Sequence, residues 1–321
     1  MTQARGRSGA GDPVRAVCVT GMHRSGTSFI AGALRFLGVS LGDPEVWLRP
    51  GPDNPLGYFE IASLMQLDDE VLAHLGGAWD QPPVLDPGWE HDDGLEPFRA
   101  RAEAILSDTF GPAPARPAVI AFKDPRLSLL LPFWRTVIPI ETTIVVMRDP
   151  VEVAASLGLR RYAVGATQAA GLWLRYLFAA GANDPGHLFV RHTDIFEDLP
   201  GTVARLAAHL GLPAPDEGVE ASVRAHLDTG LRHHDATTAS PDLHNPLLDL
   251  AVAIWNGGEV DLGMVPPFVA DLIARGWLAS PLDAELLARA RSEVVAARET
   301  LRKTNGRVAT LEAQLAERDN G

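Results

Sequence analysis

Residues 17–39 read VCVTGMHRSGTSFIAGALRFLGV. An apolar, β-branched run ends at Thr20. Two glycines then bracket a polar turn, and a helical apolar rhythm begins at Thr27. Strand, tight turn and helix in this order open a parallel α/β unit. A loop that cradles phosphate at such a turn reads G-x-x-x-x-G-K-[ST]. Gly21 and Gly26 keep that spacing, but Thr27 stands where the lysine belongs. The cation within the turn itself is Arg24.

The two glycines permit a tight turn and close backbone approach. The helix that follows points its unpaired N–H groups and positive dipole end back at the turn. Thr27 and Ser28 add hydroxyls in the first helical turn. An ordinary strand-to-helix connection needs neither both glycines nor a run of Arg, Ser, Thr and Ser. Gly21, His23, Arg24, Ser25, Gly26, Thr27 and Ser28 are therefore the candidate phosphate-binding set.

The chain has 321 residues, 46% of them hydrophobic, enough for one sizeable core with an appendage. Its net charge is -13, which argues against wrapping nucleic acid or lying on an anionic membrane. A bound anion must meet a local cluster of Arg and Lys. Cys18 is the one cysteine, so no disulfide can form within the chain, and its apolar setting marks it as a core residue. Residues 1–13 are rich in Gly, Arg and Ser, lack the apolar segment of a signal peptide, and are expected to be disordered. No apolar stretch approaches the ~20 residues of a membrane span. A cytoplasmic protein is the expectation.

Four apolar runs predict buried parallel strands: 14–20, 118–122, 142–147 and 187–192. Helical patterns run from Thr27 to Leu37, Ile61 to Leu75, Leu95 to Phe110, Val151 to Leu159, Gln168 to Ala180 and Thr202 to Leu210. Strands alternating with helices imply a P-loop-type parallel sheet flanked by helices, spanning 14–280. Ligands of such sheets sit at the carboxyl ends of the strands. Residues 43–60 form a long Pro- and Gly-rich loop, the kind that is more often functional than idle. Residues 211–245 read as irregular.

The end of the chain changes character. Leu287, Val294, Leu301, Val308 and Leu315 recur every seven residues, with Ala290, Ala297, Thr304 and Leu311 three further on. Residues 281–319 are thus a helical extension, either a coiled coil supporting a homodimer or one amphipathic helix packed on the body.

A nucleotide kinase needs the missing lysine and a strand-end aspartate for Mg²⁺. Asp124 and Asp149 follow strands, but each precedes a proline and neighbours a cation, which favours ion pairing. A sulfuryl donor suits the loop better: it carries less charge than a terminal phosphate and needs no metal. A cation within the loop can meet charge that grows on the bridging oxygen. GMHRSGTS resembles the 5′-phosphosulfate loop of sulfotransferases that use 3′-phosphoadenosine 5′-phosphosulfate (PAPS), in their bacterial branch.

A second motif makes the resemblance specific. Those enzymes place an Arg after a strand and a Ser eight residues later, both on the donor's 3′-phosphate. Here TTIVVM is followed by RDPVEVAAS, giving Arg148 and Ser156. FKDPRLSLLLPFW (122–134) and LFVRHTDIFEDL (188–199) are also similar to the family, and the likeness covers roughly 14–235. Two features depart from it. His192 stands where the family has a Tyr near the nucleotide. The R-K-G-x-x-G segment that adds to the 3′-phosphate is absent; residues 301–306 echo it only within the heptads. Arg160, Arg161 or Arg232 could supply that charge.

The resemblance implies PAPS as co-substrate, 3′,5′-adenosine bisphosphate as product, no metal, and a hydroxyl acceptor on a carbohydrate or other small molecule. The acceptor proton needs a base, and an ionised carboxylate serves. Glu45, 21 residues after Arg24, and Glu60, at the end of NPLGYFE and the opening of a helix, compete for that role. His23, Lys123, His233 and His234 stand in reserve. Lys123 directly follows a strand, suited to steadying the transferring group or pairing with Asp124. Two other readings remain: a nucleotide kinase or NTPase with a degenerate loop, and an inactive scaffold of the same fold that assembles through its heptads.

Overall fold

The computed structural model of the chain describes residues 14–51, 54, 57–112, 116–158, 164–184, 186–227 and 246–256. The expected disordered segment 1–13, the remainder of the domain to 280 and the heptads at 281–319 lie outside them. So do Leu159, Arg160, Arg161, Arg232, His233 and His234.

Four strands form one parallel sheet: β1 (Arg15–Thr20), β2 (Val119–Lys123), β3 (Ile140–Met147) and β4 (Leu188–Arg191), in the order β2-β1-β3-β4. Both faces are covered. Along β1, Ala16 and Cys18 enter one apolar cluster while Val17 and Val19 enter another. That is why the strands read as unbroken apolar runs and not as alternation.

On one face lie α1 (Thr27–Phe36), α8 (Leu199–His209) and α9 (Glu217–His226). The other face carries α2 (Ala62–His74), α3 (Glu96–Phe110), α4 (Leu127–Val137), α5 (Pro150–Gly158), α6 (Ala166–Asn183) and α10 (Pro246–Trp255). A short helix, α7 (His192–Glu197), follows β4 directly. β1 and β3 are neighbours, yet α1 and α5 depart to opposite faces. The chain therefore opens a crevice outside the carboxyl ends of these two strands, where open α/β sheets bind ligands.

Three features differ from the sequence reading. First, α9 occupies part of 211–245; Asp216 caps it by accepting from the Val219 N–H at 2.8 Å. Second, α4 is a full helix although Pro132 lies inside it. Proline cannot donate to the carbonyl four residues back. The Asn183 side-chain amide donates to that Ser128 carbonyl instead, at 3.0 Å. Third, Glu60 does not open a helix: Ile61 is the N-cap and α2 starts at Ala62. The loop at 43–60 also contains one 3₁₀ turn, Pro44–Val46.

Candidate functional site

The turn after β1 has unusual backbone. Gly21, Arg24 and Gly26 have φ of 140°, 72° and 90°. A non-glycine residue at positive φ is uncommon and costs roughly 1–3 kcal/mol, so Arg24 is held there by its surroundings. A Cβ on Gly21 would lie 2.1 Å from the Val146 carbonyl oxygen, and one on Gly26 would lie 2.6 Å from His192 Cδ2. Both glycines are thus required by close approach to β3 and to α7. Gly26 is the N-cap of α1, and no side chain caps that helix start. Ser25 is fully buried, and its Oγ has no hydrogen-bond partner among the described residues.

The loop borders a cleft of about 360 Å³. His23, Arg24, Gly26, Thr27 and Ser28 line it from β1 and α1. Lys123 and Arg126 enter from the end of β2, Arg148 from the end of β3, and Glu60 from the long loop. Leu48, Tyr58, Met65 and Trp79 form the less polar wall. The register explains the convergence, because Val19 pairs with Lys123 and Thr20 with Val145 across the sheet. Thr20 Oγ1 also contacts the carbonyl oxygens of Asp124 and Pro125, at 3.0 and 2.9 Å. That bond ties the turn after β2 to the end of β1.

The charged side chains of the cleft are held by specific neighbours. Arg24 Nε donates to Ser156 Oγ at 2.9 Å. Arg148 Nε donates to Glu152 at 2.6 Å, one helical turn along, and the Trp173 indole donates to the Arg148 carbonyl at 2.9 Å. Lys123 forms a buried ion pair with Glu60, not with Asp124 as its position in the sequence suggested. Burial pushes the Glu60 carboxyl pKa up, and the Lys123 charge offsets part of that rise. Asp124 instead binds Arg126, whose guanidinium also meets Asp69 at 2.6 Å. Burial opposes the Arg126 charge, but the carboxylates of Asp124 and Asp69 outweigh it and raise its pKa. Asp149 accepts from the Val151 N–H at 2.7 Å and so starts α5.

The structure brings Arg24, Glu60, Lys123 and Arg148 to one cleft and places Ser156 against Arg24. Glu45 lies on the exposed 3₁₀ turn and is not among the residues lining the cleft. His192 abuts Gly26 and lines a smaller slot of about 90 Å³ beside Ser28, with Phe29, Phe59, Phe196 and His226. Sequence reasoning missed Arg126, Trp79 and the slot, since nothing local in the sequence marks them. It also missed Asp68, a carboxylate fully buried in α2. One oxygen of Asp68 accepts from the Trp134 indole at 2.8 Å and the other has no partner among the described residues. Burial, reinforced by the charge of Asp124, holds its pKa well above the usual carboxylate range.

No protein-family model matches the chain, and no curated protein matches it. Among solved structures it is similar to a sulfotransferase from Mycobacterium tuberculosis H37Rv, at 18% identity and a TM-score of 0.38, covering 71% of this chain and 75% of that one. It is also similar to the sulfotransferase domain of the olefin synthase from Synechococcus PCC 7002, at 15% identity and a TM-score of 0.36, covering 94% and 98%. Among the described residues no helix is long and apolar enough to cross a membrane.

Proposed function

We propose that the protein transfers a sulfuryl group from PAPS to the hydroxyl of a small-molecule acceptor, such as a carbohydrate or secondary metabolite. The observation that carries this reading is the meeting of Arg24, Lys123 and Arg148 in one cleft, each from a different strand end, beside the start of α1. An acidic chain has gathered several cations where a donor anionic at both its 5′ and 3′ ends would lie. The left-handed backbone at Arg24 and Gly26 and the orphaned Ser25 hydroxyl suit a loop wrapped on phosphate oxygens. The aromatic slot beside Ser28 has the chemistry to take a purine.

In the proposed reaction the acceptor oxygen attacks sulfur. The bond from sulfur to the bridging phosphate oxygen breaks, and its electron pair leaves with 3′,5′-adenosine bisphosphate. Arg24 stands by that oxygen and Lys123 by the transferring group. Glu60 takes the acceptor proton, favoured over Glu45 by its place in the cleft wall. Arg148 and Ser156 hold the 3′-phosphate. The kinase reading finds less support: Asp124 is engaged by Arg126, and Asp149 starts a helix.

A thermal shift tests the proposal. Adenosine 3′,5′-bisphosphate without metal should raise the melting temperature more than ATP with Mg²⁺. The reverse order would return the nucleotide kinase reading. Stabilisation without turnover of PAPS across a panel of hydroxyl acceptors would favour an inactive scaffold.

A further inference from the structure

Lys123 and Glu60 are 63 residues apart in sequence, yet their side chains meet almost wholly buried, 3% and 10% exposed, in the wall of the cleft. Each arrives from a constrained place. Lys123 is the last residue of β2. Glu60 follows Phe59, whose φ of 53° is a conformation an aromatic residue adopts only when held. Its own carbonyl accepts from the Leu48 N–H at 2.8 Å. A pair built this way fixes the direction of both head groups.

The other charges around Glu60 are already committed. Arg126 is shared between Asp69 and Asp124, and Arg148 is bound to Glu152. Tyr58 faces Glu60 from the long loop, and His23 and Arg24 line the cleft from the loop after β1. Among these groups Lys123 is the one that bonds directly to the Glu60 carboxylate. A lysine ammonium is a compact charge on a flexible stem and can turn from one anion to another.

Resting on the sulfuryl-transfer reading above, we propose that Glu60 and Lys123 act as a switched pair in which the donor's sulfuryl group draws Lys123 off Glu60, so that Glu60 becomes a working base only after the donor has bound. While paired, the carboxylate is a weaker proton acceptor than its burial alone would make it, because Lys123 stabilises its charged form. Once Lys123 turns to the sulfuryl oxygens, Glu60 is left buried with less counter-charge and its proton affinity rises. The acceptor O–H then gives its proton to Glu60 as its oxygen forms the bond to sulfur. The electron pair of the broken S–O bond leaves on the bisphosphate. The order donor first, acceptor second, follows from one ammonium serving two anions.

The experiment is isothermal titration calorimetry of the whole chain, in buffers of different ionisation enthalpy, which reads protons taken up on binding. PAPS and adenosine 3′,5′-bisphosphate are the two probes. PAPS should bind with partial proton uptake at about pH 5 that fades toward pH 7, where the unpaired Glu60 stays ionised and able to serve as base, and the bisphosphate, which lacks the sulfuryl group, should bind with markedly less. Glu60→Gln should abolish the difference and bind PAPS several-fold tighter, because Lys123 no longer has a carboxylate to leave. Lys123→Met should also abolish the difference, so the test stands if one variant fails to fold. Equal proton uptake with both probes, or an uptake that persists in Glu60→Gln, overturns the switch and leaves the sulfotransferase reading intact. Failure to bind either probe overturns both.

Discussion

Arg24 Nε lies 2.9 Å from Ser156 Oγ, joining the loop after β1 to the helix after β3 across 132 residues of sequence. The bond tethers the guanidinium at the cleft that Arg24 lines, and the left-handed backbone at Arg24 fixes where the side chain starts. The two residues that the sulfotransferase resemblance assigns to opposite ends of the donor thus touch. Their substitutions should therefore not be independent.

Arg24→Ala should lower kcat by ~10²–10³ while changing the Kd for adenosine 3′,5′-bisphosphate much less, since the proposed role sets it against charge that grows only as the S–O bond breaks. Ser156→Ala should fall between, losing some rate through misaligned Arg24 and some affinity through the lost hydroxyl. Steady-state kinetics with PAPS beside calorimetry with the bisphosphate separates the two. Equal losses of rate and affinity in Arg24→Ala would remove its assignment to the transition state.

Arg148 is oriented from two sides, by Glu152 and by the Trp173 indole on its carbonyl. A hydrogen bond to a charged group is worth ~1.5–3 kcal/mol, so Arg148→Ala should weaken adenosine 3′,5′-bisphosphate binding by roughly 10- to 150-fold. Binding of adenosine 5′-monophosphate, which lacks the 3′-phosphate, should change little. An equal loss for both nucleotides would mean that Arg148 supports the cleft without reading that phosphate.

The four strands were legible because buried parallel strands are continuous apolar runs, and each falls within two residues of its predicted span. α4 was not, because LSLLLPFW is buried all round; it shows no polar face and carries a proline. In the site, the loop and the Arg148–Ser156 spacing are local patterns and could be read. The Lys123–Glu60 and Arg126–Asp69 pairs join chain segments 63 and 57 residues apart. No spacing encodes them. Sequence left Glu45 and Glu60 in competition for the same reason: both follow the loop at plausible distances, and of the two it is Glu60 that lines the cleft.

The two loop glycines should respond differently to the same change. Gly26→Ala meets the His192 ring and a backbone at φ 90°, whereas Gly21→Ala meets the Val146 carbonyl oxygen. A side chain can be removed and a backbone carbonyl cannot. His192→Ala should therefore recover part of the stability and nucleotide affinity lost in Gly26→Ala, leaving the ~1–3 kcal/mol backbone cost, and should recover nothing in Gly21→Ala. Melting temperatures and bisphosphate affinity of the four variants check this. Rescue in both backgrounds would contradict the contacts described.

Asp68 should make the protein less stable as pH rises. Burial, with the neighbouring Asp124 charge added, raises its folded-state pKa, so the folded chain holds this proton more tightly than the unfolded chain. Above the unfolded carboxylate pKa of about 3.9, unfolding releases the proton. Stability attributable to Asp68 is then full at low pH and is lost as pH rises toward the folded value. Asp68→Asn keeps an oxygen for the Trp134 indole and removes the charge. The variant should melt with the wild type near pH 4 and above it at pH 7, by roughly 2–4 °C for each kcal/mol relieved in a chain of this size. Melting curves of both proteins across that range give the answer. A gap that stays constant with pH would show that Asp68 is ionised when folded, and a variant less stable at every pH would show that its second oxygen has a partner worth keeping.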